Sequence, residues 1–213
     1  KFTEADYVIA PKVDLWDTLI EQMLVQKRAL NEVVETREHA LACAKTVADR
    51  YRCNYEHASF LMEAACMIFD KIRTLHGLNP HYKLLEIAAI LHDCGYFINS
   101  KHHLNSNVDI VKYTDIYGLT DKTTLITAYI SRFAESETPN YKDAEFASLK
   151  GSEKIIALKL AAIFRLANSL DKSHKQKLQS VKVRLDDDKF IITAKSDSNT
   201  RLEHWAFEKC SAF

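Results

Sequence analysis

His92 and Asp93 stand side by side immediately after an apolar run, Ile87 to Leu91. An imidazole and a carboxylate at the end of a buried helix are costly to desolvate unless something satisfies them. The chain offers His57, 35 residues before His92, and Asp171, 78 residues after Asp93. If each rides on its own helix, the order His, His-Asp, Asp lines one cleft of a bundle with nitrogen and oxygen donors. Such a set suits a divalent transition metal, which could activate water against a phosphorus ester or anhydride. The same residues could instead form a buried hydrogen-bonded cluster that pins helices together. His102 and His103 come soon after and are placed at the edge of this cleft.

A second constellation is basic. Arg165, Lys172, His174, Lys175 and Lys177 crowd the end of one helix pattern, with Lys182 and Arg184 beyond them. Arg165, Asn168 and Lys172 recur at spacings of three and four, which puts them on one helix face. A guanidinium fork beside several ammonium groups is what binding a phosphate chain requires. A solvated lysine face with no ligand has the same appearance.

The elements that must position these residues are mostly helical. Only 4 Gly and 3 Pro occur in 213 residues, so chain breakers are scarce. Apolar residues at three-and-four spacing predict helices over about 31–51 and 54–75. Asn79-Pro80 then pairs an N-cap residue with proline at the first helical position. The helix it opens is apolar almost all round, as a central buried helix must be, and Gly95 is placed as its C-cap. Further helices are predicted over about 105–113, 121–133 and 152–170, with a loop at 135–149 that turns at Thr138-Pro139-Asn140. After Ser180 the period becomes two, at Val181, Val183 and Leu185 and again at Phe190, Ile192 and Ala194, which predicts a hairpin with one buried face. A final helix begins near Thr200.

Composition narrows the class. With 29 basic and 29 acidic residues the formal charge is zero, so no global field points to nucleic acid or a membrane surface. Hydrophobic residues at 47% and charged residues at 27% can build a sizeable core. The longest purely apolar run is far below the ~20 residues of a membrane span. Five cysteines without a C-x-x-C pair fit a reducing compartment, read as cytoplasm. The expected fold is mainly α, an HD-domain-like helical bundle with a small C-terminal α/β appendage, a β-hairpin plus a clipped helix. The expected domains are 1–20, a strand and linker belonging to an upstream domain; 21–178, the helical domain; and 179–213, the appendage.

The run Leu91-His92-Asp93-Cys94-Gly95-Tyr96-Phe97-Ile98, then Lys101-His102-His103, Glu137-Thr138-Pro139 and Arg165-Leu166-Ala167-Asn168-Ser169-Leu170-Asp171-Lys172-Ser173-His174 resembles the C-terminal HD-like domain of the Ppx/GppA phosphatases, the exopolyphosphatases and guanosine pentaphosphate phosphohydrolases. The resemblance covers nearly the whole chain. It implies an upstream actin-like ATPase domain carrying Mg²⁺-dependent phosphoanhydride hydrolysis, a polyphosphate or pppGpp ligand, a phosphate channel on the basic face, and a homodimer. Val8 to Leu19 resembles the last strand of that upstream domain and the helix leaving it.

Three departures stand out: His102-His103-Leu104-Asn105-Ser106 for His-His-x-His-Ser, Arg132-Phe133-Ala134 for Arg-Tyr-His, and Asn168 where metal-dependent HD enzymes carry an aspartate ligand. These features allow three functions. The chain is the binding and assembly domain of such a phosphatase, an autonomous metal-dependent HD phosphohydrolase, or a non-catalytic regulatory module.

Overall fold

The computed structural model describes residues 37–79, 82–135, 143–186 and 189–211. The expected strand at Val8, Pro80, the Glu137-Thr138-Pro139 motif and the Thr138-Pro139-Asn140 turn lie outside these residues. The described residues from His39 onward form a single compact unit. Helix α1 (37–50) buries Ala40, Ala44, Val47 and Ala48, one stripe at helical spacing. It closes at Arg52, whose φ of 55° is left-handed, with Cys53 N–H returning 3.0 Å to the Ala48 carbonyl. Glycine usually fills such a position, since a side chain there is strained.

Asn54 caps α2 (Tyr55–Lys71), its Oδ1 accepting from the backbone N–H groups of Glu56 and His57. The helix predicted to reach residue 75 is interrupted at Ile72 and resumes as α3 (Arg73–His76). Buried His76 accounts for the break: its Nε2 lies 2.8 Å from the Phe69 carbonyl, folding the next turn back on α2.

Helix α4 (Tyr82–Leu91) is central, as its composition predicts. Leu84, Leu85, Ala88 and Ala89 join the core formed with α2, α7 and α9; Ile87, Ile90 and Leu91 face a second core shared with α1 and α6. A helix serving two cores is left almost no polar face, and its one acidic residue, Glu86, is itself buried. The chain turns at His92-Asp93 and re-enters helix as α5 (Cys94–Ile98). Gly95 is therefore not the C-cap of α4. It lies inside α5, where an added Cβ would stand 2.0 Å from the His103 carbonyl oxygen, so its lack of a side chain is what lets α6 (His103–Lys112) approach.

Helices α7 (Asp121–Glu135) and α9 (Gly151–Ser169) pack against each other, and the predicted loop between them contains a short helix, α8 (Ala144–Ser148), capped by Asp143. The hairpin forms as predicted, β1 (Ser180–Asp186) antiparallel to β2 (Lys189–Lys195). Val183 opposes Ile192, and Val181, Leu185 and Phe190 share their face. Helix α10 (Arg201–Ser211) then packs on α9. The architecture is mainly helical with a small two-strand appendage. Among the described residues no helix is long and apolar enough to cross a membrane.

Candidate metal centre

His57 sits in the first turn of α2, His92 and Asp93 in the turn after α4, and Asp171 and His174 in the turns that end α9. His57 is fully buried, and His92 and Asp171 nearly so. The Nδ1 of His57 lies 2.7 Å from Oδ2 of Asp171. That same oxygen accepts from Gln176 Nε2 at 2.7 Å, while Oδ1 accepts from the backbone N–H groups of Lys175 (3.0 Å) and Gln176 (2.8 Å). Burial alone would raise the Asp171 pKa, but the hydrogen bonds from His57 and Gln176 outweigh it and hold the carboxyl below its usual range. All four acceptor positions of Asp171 are thus used. Asp171 orients His57 and has no lone pair left for a metal ion, so it lies behind the centre and not in it.

A carboxylate only accepts, so His57 Nδ1 carries a proton and, in the neutral ring, the lone pair is on Nε2, an atom that is buried without a hydrogen bond. His92 is fixed in the same sense: Nδ1 lies 2.8 Å from the Ala89 carbonyl, which can only accept, so Nε2 again carries the lone pair. Burial holds His92 below the usual histidine range, with the His57 ring adding to the effect against the opposing pull of Asp93, so the ring is neutral near pH 7. Its Nε2 stands 3.1 Å from Asp93 Oδ1, yet neither atom makes a directed hydrogen bond. Two lone pairs at that distance could both be satisfied by a cation beside them.

His174 completes the group. Its ring stacks on His57 at 3.6 Å between centroids, and Nδ1 lies 3.5 Å from Asp93 Oδ2. Burial and the neighbouring His57 lower its pKa as well. His57, Asp93 and His174 each offer one ligand atom, and these atoms lie within 4.8 Å of one another. Two imidazoles and a carboxylate, with His92 alongside, form the mixed nitrogen and oxygen set that Mn²⁺, Fe²⁺ or Zn²⁺ accepts. A cavity of about 480 Å³, lined by Tyr51, Arg52, Cys53, Asn54, Tyr96 and Phe97, opens directly on Asp93 and His174.

The remaining candidates scatter. Asn168 is buried and donates from Nδ2 to Glu135 Oε1 at 3.4 Å, while Glu135 Oε2 lies 3.1 Å from His103 Nε2. His103 stacks on Tyr96 beside the cavity, whereas His102 stays exposed at the start of α6. Of the basic residues, Arg165 hydrogen-bonds the carbonyls of Phe133 and Ala134 near the end of α7. Lys177 pairs at 3.3 Å with buried Glu203 of α10. Lys172 and Lys175 are exposed, as are Lys182 and Arg184 on β1.

Sequence reasoning places His174 among the phosphate ligands and passes over Arg52 and Glu135. His174 and Arg52 both depend on left-handed backbone turns at non-glycine residues, which leave no trace in periodicity. Glu135 is legible only as the end of a helix.

A helical bundle with a His, His-Asp constellation between its helices and a short hairpin behind is an HD-like domain. The family model described as Ppx/GppA phosphatase, domain III, matches residues 40–209, and the chain belongs to that family. No curated protein matches it.

Proposed function

We propose that this chain is the phosphate-binding C-terminal domain of an exopolyphosphatase or pppGpp phosphohydrolase, and that it holds a divalent transition metal at His57, Asp93 and His174, with His92 beside them. The observation that carries the metal is the group His57, Asp93 and His174, each offering one ligand atom within 4.8 Å of the others, with Asp93 and His174 lining an open cavity. Family membership supports the phosphatase context.

A bound ion would supply Lewis-acid attraction for phosphate oxygens. The protein's own residues do the rest. Asp171 fixes the His57 ring, the Ala89 carbonyl fixes His92, and Arg52 at the rim brings a guanidinium to the mouth. Lys172 and Lys175, exposed on either side of His174, extend the positive surface along which a phosphate chain would run. In this reading phosphoanhydride hydrolysis belongs to an upstream actin-like domain using Mg²⁺, the parent protein is cytoplasmic, and it works as a homodimer.

The second reading, an autonomous HD hydrolase, is favoured by one observation: solvent reaches Asp93 and His174 through the cavity. Elemental analysis of the purified chain, before and after chelation, joined to a phosphatase assay in Mn²⁺, separates the cases. Metal without turnover is the expected result. Turnover that disappears with Asp93→Ala would replace this reading by the second. Absence of metal and of Mn²⁺ binding would leave the histidines as a structural cluster.

The phosphate surface has its own test. Lys172→Ala with Lys175→Ala weakens binding of long-chain polyphosphate, most strongly at low salt, because exposed charges are screened over about 8–10 Å at physiological ionic strength. Unchanged affinity at low salt would remove those lysines from the binding surface.

A further inference from the structure

Cys53 and Cys94 are 41 positions apart in sequence, yet their sulfurs are 3.2 Å apart. Cys53 lies in the link between α1 and α2 and lines the cavity mouth; Cys94 is buried as the first residue of α5. Both are free thiols. A disulfide needs sulfurs about 2.0 Å apart, so the 3.2 Å separation leaves a gap of only about 1.2 Å to close. The solvent-facing member can meet an oxidant, and the buried member stands where it can resolve the product.

We propose that Cys53 and Cys94 form a dithiol that a peroxide converts to a reversible disulfide at the mouth of the centre. The Cys53 sulfur attacks one peroxide oxygen, the O–O bond breaks, and a sulfenic acid and water result. The Cys94 sulfur then displaces the hydroxyl from that sulfenic acid. An S–S bond forms and a second water leaves. Two thiols lose two hydrogens and two electrons, and hydrogen peroxide takes both. A low-molecular-weight thiol reverses the step by exchange.

The bond would tie the approach to α2, which carries His57, to the start of α5, which comes directly after Asp93. It would also alter the rim at Cys53. The proposal does not need a metal in the centre, because both sulfurs lie outside the set of ligand atoms.

The test uses the 213-residue chain treated with hydrogen peroxide and then alkylated under denaturing conditions. The expected result is an intact mass two hydrogens lower, the loss of two alkylatable thiols, and a proteolytic peptide pair joined through residues 53 and 94. Dithiothreitol restores both thiols. Cys53→Ser abolishes the joined pair and leaves the remaining cysteines alkylatable. Cys94→Ser, checked for folding by circular dichroism, stops Cys53 at the sulfenic stage, which dimedone traps. Over-oxidation of Cys53 in the unmutated chain without a joined peptide would overturn the proposal, as would a disulfide formed chiefly by Cys43, Cys66 or Cys210.

Discussion

The Asp171 carboxylate accepts four hydrogen bonds, and one of them sets which nitrogen of His57 faces the centre. Asp171→Asn keeps the shape but offers an amide where His57 needs an acceptor. Metal affinity should fall about 10–100-fold, the usual effect of losing a carboxylate behind a histidine ligand. Calorimetric titration with Mn²⁺ reads the loss, with a thermal melt to check that the fold is retained. Asn168 invites the opposite substitution, since Asp is what metal-dependent HD enzymes carry there. Its amide already serves Glu135 at 3.4 Å. Asn168→Asp would set two carboxylates together and break that bond, at a cost of about 1–3 kcal/mol. Melting with and without Mn²⁺ should show the same loss, and a rescue by the ion would instead make position 168 a ligand.

Elements hold these residues through contacts that leave little slack. The approach of α6 to α5 depends on Gly95, since a methyl there meets backbone and not a movable side chain. Gly95→Ala should lower stability by about 1–3 kcal/mol, the range for overpacking, and loosen His103 from Glu135. Denaturant unfolding of the variant gives the number. Helix α10 is anchored differently, by Glu203, buried and paired with Lys177. Burial pushes Glu203 up, but hydrogen bonds from Ser173 and Lys177 prevail and hold it below its ordinary value of 4.5. A depressed carboxylate adds stability that is complete above the unfolded value and is lost as pH falls through the folded one. Acidification below about pH 4.5 should therefore weaken the docking of α10. Melting temperature against pH should fall less steeply there for Glu203→Gln than for the unmutated chain.

At the scale of the whole molecule, the helical bundle is legible because burial imposes its period on the sequence. The nearly all-round apolar character of residues 84–91, broken only by Glu86, marks a helix shared by two cores, and the alternation at Val181, Val183 and Leu185 marks the hairpin. His92 and Asp93 draw attention for a related reason: polar residues next to an apolar run need partners, and the spacing of His57 before them puts it forward as one. The ends of helices are not legible in this way. The break at Ile72 and the loop that wraps the Asp171 carboxylate depend on side-chain hydrogen bonds to nearby backbone, and the place of Gly95 in α5 on a close approach of α6, none of which hydrophobic spacing encodes. That loop has a further consequence, for the order in which the molecule assembles. His57 and Asp171 are separated by 114 positions, and His174 lies beyond both, so the centre closes only after nearly the whole bundle has folded. An ion that binds there meets finished molecules alone. At about a hundredfold excess over its dissociation constant it would add about 2.7 kcal/mol to stability. Late closure makes the centre a clasp on the completed chain, and a polypeptide cut short of residue 171 would gain nothing from the ion.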